Sequence, residues 1–278
     1  MPTINIDKKE FLKLINKKLS DKEIEEKISE MGVAVESVTN KEIIFEVFAN
    51  RPDLLSKYGL VRYVRGYLEN KKPVNYKVKK SNYKLNVNNN LKEIRPYITC
   101  AVVKGLKLNN EKLVEIIQLQ EKLHITFGRN RKKISIGIYP LDKIKFPLTY
   151  EAKKPEEIKF QPLDTEKEIS ANEILEKHSK GKEFRHLLNS HNKYPILRDS
   201  NNEILSLIPV INSQLTGKVN EATKEVFIEC TGFDFVSLTK CLNIIVTSLA
   251  DMGGEIYSVE IRSYNKKNIT PDLTEEKI

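Results

Sequence analysis

The sequence predicts an α+β protein in two units: a small N-terminal α+β domain over residues 1–88 and a larger mixed-sheet α+β domain over residues 89–265. Residues 266–278 read as a tail leading toward a following domain. Three observations carry this reading. The chain has 278 residues, which at about 150 residues per domain suits two compact cores. Segments of helical period and segments that alternate with period two occur in both parts. Between them, residues 70–92 mix charge with turn formers, including Lys71-Lys72-Pro73, Lys79-Lys80 and Asn88-Asn89-Asn90, and read as an edge strand running into a linker. No internal repeat of 20 to 50 residues is visible.

In the first unit, Ser20-x-x-Glu23 has capping-box spacing, Ile24, Ile28 and Met31 share one face, and Gly32 suits a left-handed exit, so a helix is expected over Ser20 to Gly32. Val33-Ala34-Val35 and Ile43 to Val47 read as strands joined near Thr39-Asn40. Pro52 and Asp53 suit a helix start, and Leu54, Tyr58, Val61 and Leu68 then recur at helical spacing. Arg51 and Asp53 read either as a polar functional contact at that start or as a cap.

In the second unit, Tyr97 to Leu106 is a strand, and Asn110 to His124 a helix with Leu113, Ile116, Ile117, Gln120 and Leu123 inward. The basic turn Gly128-Arg129-Asn130-Arg131-Lys132-Lys133 then leads into Ile134, Ile136 and Ile138, whose period of two puts them on one buried face. Leu148 to Ala152 and Ile158 to Phe160 add strands. Ser170-x-x-Glu173 caps a helix that runs toward His178 and stops near Gly181, and another short helix follows over Lys182 to Leu188. Tyr194 to Leu197 and Glu203 to Leu207 form a hairpin around Asp199-Ser200-Asn201-Asn202. Val226 to Thr231 is a further strand, expected beside that hairpin in the sheet. Asp234 to Met252 is the longest helix, and Gly253-Gly254 turns into a strand over Glu255 to Ser263.

Composition narrows the function classes. Hydrophobic residues at 40%, with 11 Gly and 11 Pro, exclude collagen-like and wholly disordered chains. The apolar runs fall short of the roughly 20 residues of a membrane span, so no membrane partner is expected. No apolar leader opens the sequence and the only cysteines are Cys100, Cys230 and Cys241, which points to a reduced, cytoplasmic setting without a disulfide framework. A net charge of +9, spread over both units, makes a polyanionic partner a reasonable expectation.

No Walker loop, dinucleotide fingerprint, zinc-spaced Cys/His cluster or nucleophile elbow occurs, so no metal site and no cofactor is expected in this chain. Cys230 and Cys241 read as core residues. His178, His186 and His191 are expected to face solvent, and His124 reads either as a satisfied cap or as a site residue. Glu229 interrupts the apolar strand Val226 to Thr231 and shares a face with Phe227 and Thr231. That face is either half-solvated, or it carries a carboxylate into a pocket. Ser206 similarly interrupts Ile204-Leu205-Ser206-Leu207-Ile208.

Five motifs in order carry a family likeness: Asn50-Arg51-Pro52-Asp53-Leu54-Leu55-Ser56, Gln120-Glu121-Lys122-Leu123-His124 running into Gly128-Arg129-Asn130-Arg131, Ile136-Gly137-Ile138, Pro209-x-Ile211-Asn212-Ser213, and Thr231-Gly232. Together they resemble the N-terminal region of the phenylalanyl-tRNA synthetase beta subunit of archaeal and eukaryotic type, including its B3/B4 editing domain, over nearly the whole chain. Thr270-Pro271-Asp272-Leu273 is similar to the run into the family's next domain.

The resemblance implies post-transfer editing, the hydrolysis of tyrosine wrongly esterified to tRNA(Phe), at a site remote from aminoacylation. It implies an alpha subunit that holds ATP, Mg and phenylalanine, and it makes this chain either a fragment or an unusually short subunit. Carried over by motif, the pocket for tyrosine comprises Leu197, Ser206, Glu229 and Thr231, with Thr231 and Glu229 as the catalytic candidates. Glu229 stands where the family usually has Asp. Arg129, Arg131, Lys132 and Lys133 would hold phosphates near the tRNA acceptor end. The alternative is a non-catalytic tRNA-binding or assembly module of the same synthetase that has lost editing. A third reading is a protein scaffold that docks the alpha subunit.

Overall fold

The computed structural model describes residues 2–70, 74–263 and 266–274. The expected turn formers Lys71-Lys72-Pro73 lie outside the described residues. The first unit comprises β1 (Thr3–Asp7), α1 (Lys8–Ile15), α2 (Asp21–Glu30), β2 (Ala34–Val38), β3 (Glu42–Glu46) and α3 (Lys57–Glu69). Its antiparallel sheet has the order β1-β3-β2. Ser20 and Glu23 form the expected capping box on α2. β1 and α1 had no counterpart in the sequence reading: Ile4 and Ile6 alternate for too short a run to stand out, and α1 begins directly at its Asp7 cap. Arg51 and Asp53 pair with each other, Nε to Oδ1 at 3.0 Å and Nη2 to Oδ2 at 2.8 Å. The amides of α3 are capped by Ser56 instead.

The second unit runs through β4 (Val78–Lys79), β5 (Lys84–Val87), β6 (Tyr97–Lys104), α4 (Asn110–Ile125), β7 (Ile134–Pro140), β8 (Leu148–Lys153), β9 (Lys159–Phe160), β10 (Ile169–Ser170), α5 (Ala171–Lys177) and α6 (Ser179–Phe184). It continues with β11 (Tyr194–Arg198), β12 (Ile204–Leu207), β13 (Ile211–Asn212), α7 (Gln214–Gly217), β14 (Val226–Gly232), α8 (Phe235–Asp251), β15 (Glu255–Ser263) and β16 (Lys266–Thr270). An 11-stranded mixed sheet has the main order β13-β12-β11-β8-β5-β15-β6-β14-β7, with β16 and β4 also paired to β15. β4 and β5, expected as an edge strand and linker of the first unit, run parallel to β15 inside this sheet. β16, expected as a departing tail, is antiparallel to the same strand. Both pairings join distant parts of the chain, which local periodicity cannot register.

Three further expectations are corrected. β14 is not a hydrogen-bonded neighbour of the β11–β12 hairpin, because its two edges are filled by β6 and β7 while β11 takes β8. Gly181 does not stop a helix but lies inside α6, where a side chain would collide with the Ile174 carbonyl of α5. The helix predicted over Lys182 to Leu188 is therefore the end of α6 plus one 3₁₀ turn, Arg185–Leu187. On α4, Ile117 is half exposed rather than inward, and Leu119 takes the buried position.

The two units share a hydrophobic cluster that extends from Ile4 and Phe45 of the small sheet to Ile245 and Leu249 of α8. Ser56 Oγ stands 3.0 Å from Ser248 Oγ, and the Lys57 amide donates to Glu115 Oε1 at 2.7 Å. A second cluster fills the other face of the large sheet with Tyr139, Tyr150, Leu197 and Phe227. Every residue of β7 and β14 is buried, since α4 and α8 pack on one face and on the other the strands of the sheet close upon one another around the second cluster. The half-solvated alternative for the Glu229 face is thereby excluded.

Candidate active site

The open end of the large sheet is built on β7, an edge strand whose exposed backbone invites pairing. Here α4 covers it: Gln120 Nε2 donates to the Ile136 carbonyl at 2.9 Å, and the Ile136 amide donates to His124 Nε2 at 2.8 Å. Because Nε2 accepts, the proton of this imidazole sits on Nδ1, 3.2 Å from Glu121 Oε1. Burial pushes the His124 pKa down, which keeps the ring neutral. The hydrogen bond from His124, with the charges of Arg131 and Lys180, holds Glu121 at a pKa of about 2. The ring is thus a satisfied link between helix and strand that also lines a cleft.

The cleft has a volume of about 850 Å³, within the range of small-molecule sites. It lies between α4 with β7 on one side and the β12–α7 segment on the other. Ile136, Ile138, Leu207 and Ile211 give it apolar walls, and Ser135, Ser206, Asn212 and Glu229 supply polar atoms. Tyr139, fully buried and outside the cleft lining, joins these strands. Its hydroxyl lies 2.9 Å from Ser206 Oγ, 3.4 Å from Asn212 Oδ1 and 3.3 Å from Glu229 Oε1. Gly137 is opposite Glu229 in register and must lack a side chain. A Cβ there would lie 2.4 Å from the Tyr139 hydroxyl and 2.6 Å from Glu229 Oε1.

Glu229 is 1% exposed, and its Oε2 has no hydrogen-bond partner. Burial raises its pKa to about 8 against the opposing pull of Arg95 and Tyr139, so at neutral pH the carboxyl is mainly protonated. A protonated acid can donate as well as accept, which suits it to a hydroxyl ligand.

The sequence-predicted site residues do not all meet. Glu229 and Ser206 face the cleft. Leu197 is paired with Ser206 in register but is a core residue outside the cleft lining. Thr231 is fully buried and accepts from Arg95 Nε at 3.0 Å, with its carbonyl taken by Arg95 Nη2 at 2.7 Å. It is absent from the cleft lining. Arg131 turns inward: Nη1 donates to the Val210 carbonyl at 2.9 Å, Nη2 to Glu121 at 3.0 Å, and its guanidinium lies 4.3 Å from the Phe184 ring centroid. Its Nε is buried without a partner at the cleft wall. Arg129, Lys132 and Lys133 remain exposed. His178, expected in solvent, is half-buried, caps α6 and also lines the cleft.

The turn that carries these cations is unusual, with Arg129, Asn130 and Arg131 at φ of 50°, 52° and 64°. Left-handed runs are costly for side chains with a Cβ. Backbone bonds from Arg131 N to the His124 carbonyl and from Lys133 N to the Gly128 carbonyl hold it, and Arg95 adds a contact to the Arg131 carbonyl at 3.3 Å. Tyr139 and Arg95 were missed from sequence. Tyr139 reads as one more aromatic in an apolar strand, and Arg95 as one cation in a charged segment. Gly137 and Asn212 lie inside Ile136-Gly137-Ile138 and Pro209-x-Ile211-Asn212-Ser213, which was the available signal.

Comparison with known proteins agrees with this architecture. Residues 1–70 match the Phe-tRNA synthetase beta subunit B1 domain, and residues 86–243 match the B3/4 domain. The fold coincides with a crystal structure of an N-terminal fragment of the phenylalanyl-tRNA synthetase beta-subunit from Pyrococcus horikoshii. The TM-score is 0.91 at 40% identity over 98% of this chain and 80% of that one. This chain belongs to the phenylalanyl-tRNA synthetase beta-subunit family. It is 42% identical over 280 residues to the phenylalanine--tRNA ligase beta subunit of Thermococcus sibiricus, covering 99% of this chain and 50% of that protein. With the same subunit of Methanocaldococcus jannaschii it is 43% identical over 282 residues, covering 99% and 51%. The chain spans about half the length of the curated relatives it matches, and corresponds to the N-terminal region of the family with its B3/4 domain.

Proposed function

We propose that the cleft hydrolyses the ester of tyrosine wrongly joined to tRNA(Phe), as the editing part of a phenylalanine--tRNA ligase whose alpha subunit carries the ATP, Mg and phenylalanine site. The observation that carries this reading is the buried Glu229 carboxyl, with one oxygen bridged through Tyr139 to Ser206 and the other unpartnered. A phenolic hydroxyl brought to Oε2 satisfies an atom that phenylalanine would leave bare. Sites built to pair with a hydroxyl discriminate against the analogue lacking it by up to about 10⁴ to 10⁵.

The three cysteines are buried and outside the cleft lining, and in this reading the attacking group is water. An aminoacyl ester is already reactive, and holding it in an enclosed site beside an oriented water supplies most of what hydrolysis needs. Ser206 and Asn212 line the cleft with polar atoms that can orient that water, and the terminal ribose hydroxyl is a further candidate. Thr231, bound to Arg95, acts in this reading as a positioning residue that fixes β14 and the basic turn. Arg129, Lys132 and Lys133 are the phosphate contacts, while Arg131 shapes the cleft.

A second reading, a tRNA-binding module without hydrolysis, is favoured by one observation, the withdrawal of the Thr231 hydroxyl from the cleft. Deacylation of tyrosyl-tRNA(Phe) by the wild type and by Glu229→Ala and Thr231→Ala separates the two. Faster ester loss with wild type, reduced in Glu229→Ala, supports editing. Equal ester lifetimes in all three, with tRNA binding intact, would move the assignment to the second reading.

A further inference from the structure

Just past the end of β14, large apolar side chains stand in solvent: Phe233 is 52% exposed and Tyr97, the register partner of Gly232, is 41% exposed. On the other side of Gly232 the register partner is Ile134, directly after Lys132 and Lys133. Three adjacent strands therefore bring two aromatic rings and two exposed cations to one corner. The corner is fixed rather than loose. The Arg95 guanidinium lies 5.4 Å from the Phe233 ring centroid, close enough for a cation–π contact. It also reaches the Arg131 carbonyl at 3.3 Å and the Lys132 carbonyl at 3.5 Å. Lys132 and Lys133 form no salt bridge among the described residues. The nearest acid in the segment, Asp234, feels Lys133 but gives its carboxylate to the Ser237 amide.

We propose that this corner is a stacking platform for the unpaired 3′ end of an RNA, with a base on the open face of Phe233, Tyr97 beside it, and flanking phosphates on Lys132 and Lys133. Sequence-tolerant single-strand sites combine an aromatic face with neighbouring cations in this way. Exposed aromatics suit protein interfaces as well as nucleic acid, but lysine is depleted from interface centres, and two cations beside the rings, without salt bridges among the described residues, favour a polyanion. Arg131, in the same turn, lines the cleft, so the platform adjoins the cleft wall. The inference rests on the proposed function for what enters the cleft and for the phosphate contacts of Lys132 and Lys133, and adds Phe233 and Tyr97, which that reading does not use.

The test titrates the full chain with a short fluorescent single-stranded RNA ending in CCA, and with the blunt duplex of the same sequence. The single strand should bind more tightly. Phe233→Ala should weaken it about tenfold with an unchanged salt slope, Phe233→Trp should retain it, and Lys132→Ala with Lys133→Ala should flatten the salt dependence. Unchanged melting temperatures show that the variants fold. Wild-type affinity in Phe233→Ala or Phe233→Leu would overturn the platform. So would loss of synthetase-subunit association with RNA affinity unaltered, which would make the corner a protein contact. Binding needs no hydrolysis: if editing fails but the platform stands, single-strand binding persists in a chain that does not cleave the ester.

Discussion

The Tyr139 hydroxyl stands 2.9 Å from Ser206 Oγ and so joins β7 and β12, which lie near opposite ends of the large sheet. Strands separated in hydrogen-bonding order are thereby drawn around one cleft, and the same hydroxyl reaches Glu229.

Removing that bridge should cost stability. Tyr139→Phe keeps the ring in its core position and leaves Ser206, Asn212 and Glu229 without their shared partner. Urea denaturation should show a loss of about 1 to 3 kcal/mol, and ester hydrolysis should fall with it. A variant as stable and active as wild type would mean the bridge is incidental.

Glu229 should make stability depend on pH. Its folded pKa is raised from 4.5 to about 8 by burial, so between those values the unfolded chain releases a proton that the folded chain retains. Stability therefore falls as pH rises through this window, by about 1 kcal/mol per pH unit from this group. Glu229→Gln, which cannot ionise, should flatten that slope in melts taken from pH 5 to pH 8. An unchanged slope would show that the carboxyl ionises normally.

Gly137→Ala should be more damaging than its size suggests. The added methyl would lie 2.4 Å from the Tyr139 hydroxyl and 2.6 Å from Glu229 Oε1, forcing both from place. Overpacking of this kind costs typically about 1 to 3 kcal/mol. Thermal melts together with hydrolysis assays should show both losses.

Much of this was legible in the sequence, for identifiable reasons. The capping boxes at Ser20 and Ser170 are local and were read correctly, as was the long helix ending near Met252. The parallel partners of β15 and the closure of the sheet through Tyr139 depend on contacts between distant segments, which no window of sequence contains. Glu229 and Ser206 stood out because each interrupts an apolar strand. Arg95 did not, since a charged residue in a charged segment gives no sign that it is buried.

The cations of the basic turn should separate by role. Arg129→Ala, Lys132→Ala and Lys133→Ala should each weaken tRNA binding and flatten its salt dependence by roughly one unit of slope. Arg131→Ala should leave the slope unchanged while lowering stability, because its guanidinium is spent on Glu121 and the Val210 carbonyl. Binding isotherms at graded salt, paired with denaturation curves, decide this. A flattened slope in Arg131→Ala would place that side chain on phosphate after all.

Most direct is a comparison of how fast wild type and Glu229→Ala cleave tyrosyl-tRNA(Phe) and phenylalanyl-tRNA(Phe). The account predicts that wild type cleaves the tyrosyl ester far faster than the phenylalanyl ester, and that Glu229→Ala loses this preference. Equal cleavage of the two esters by wild type, or a preference that survives in Glu229→Ala, would contradict it.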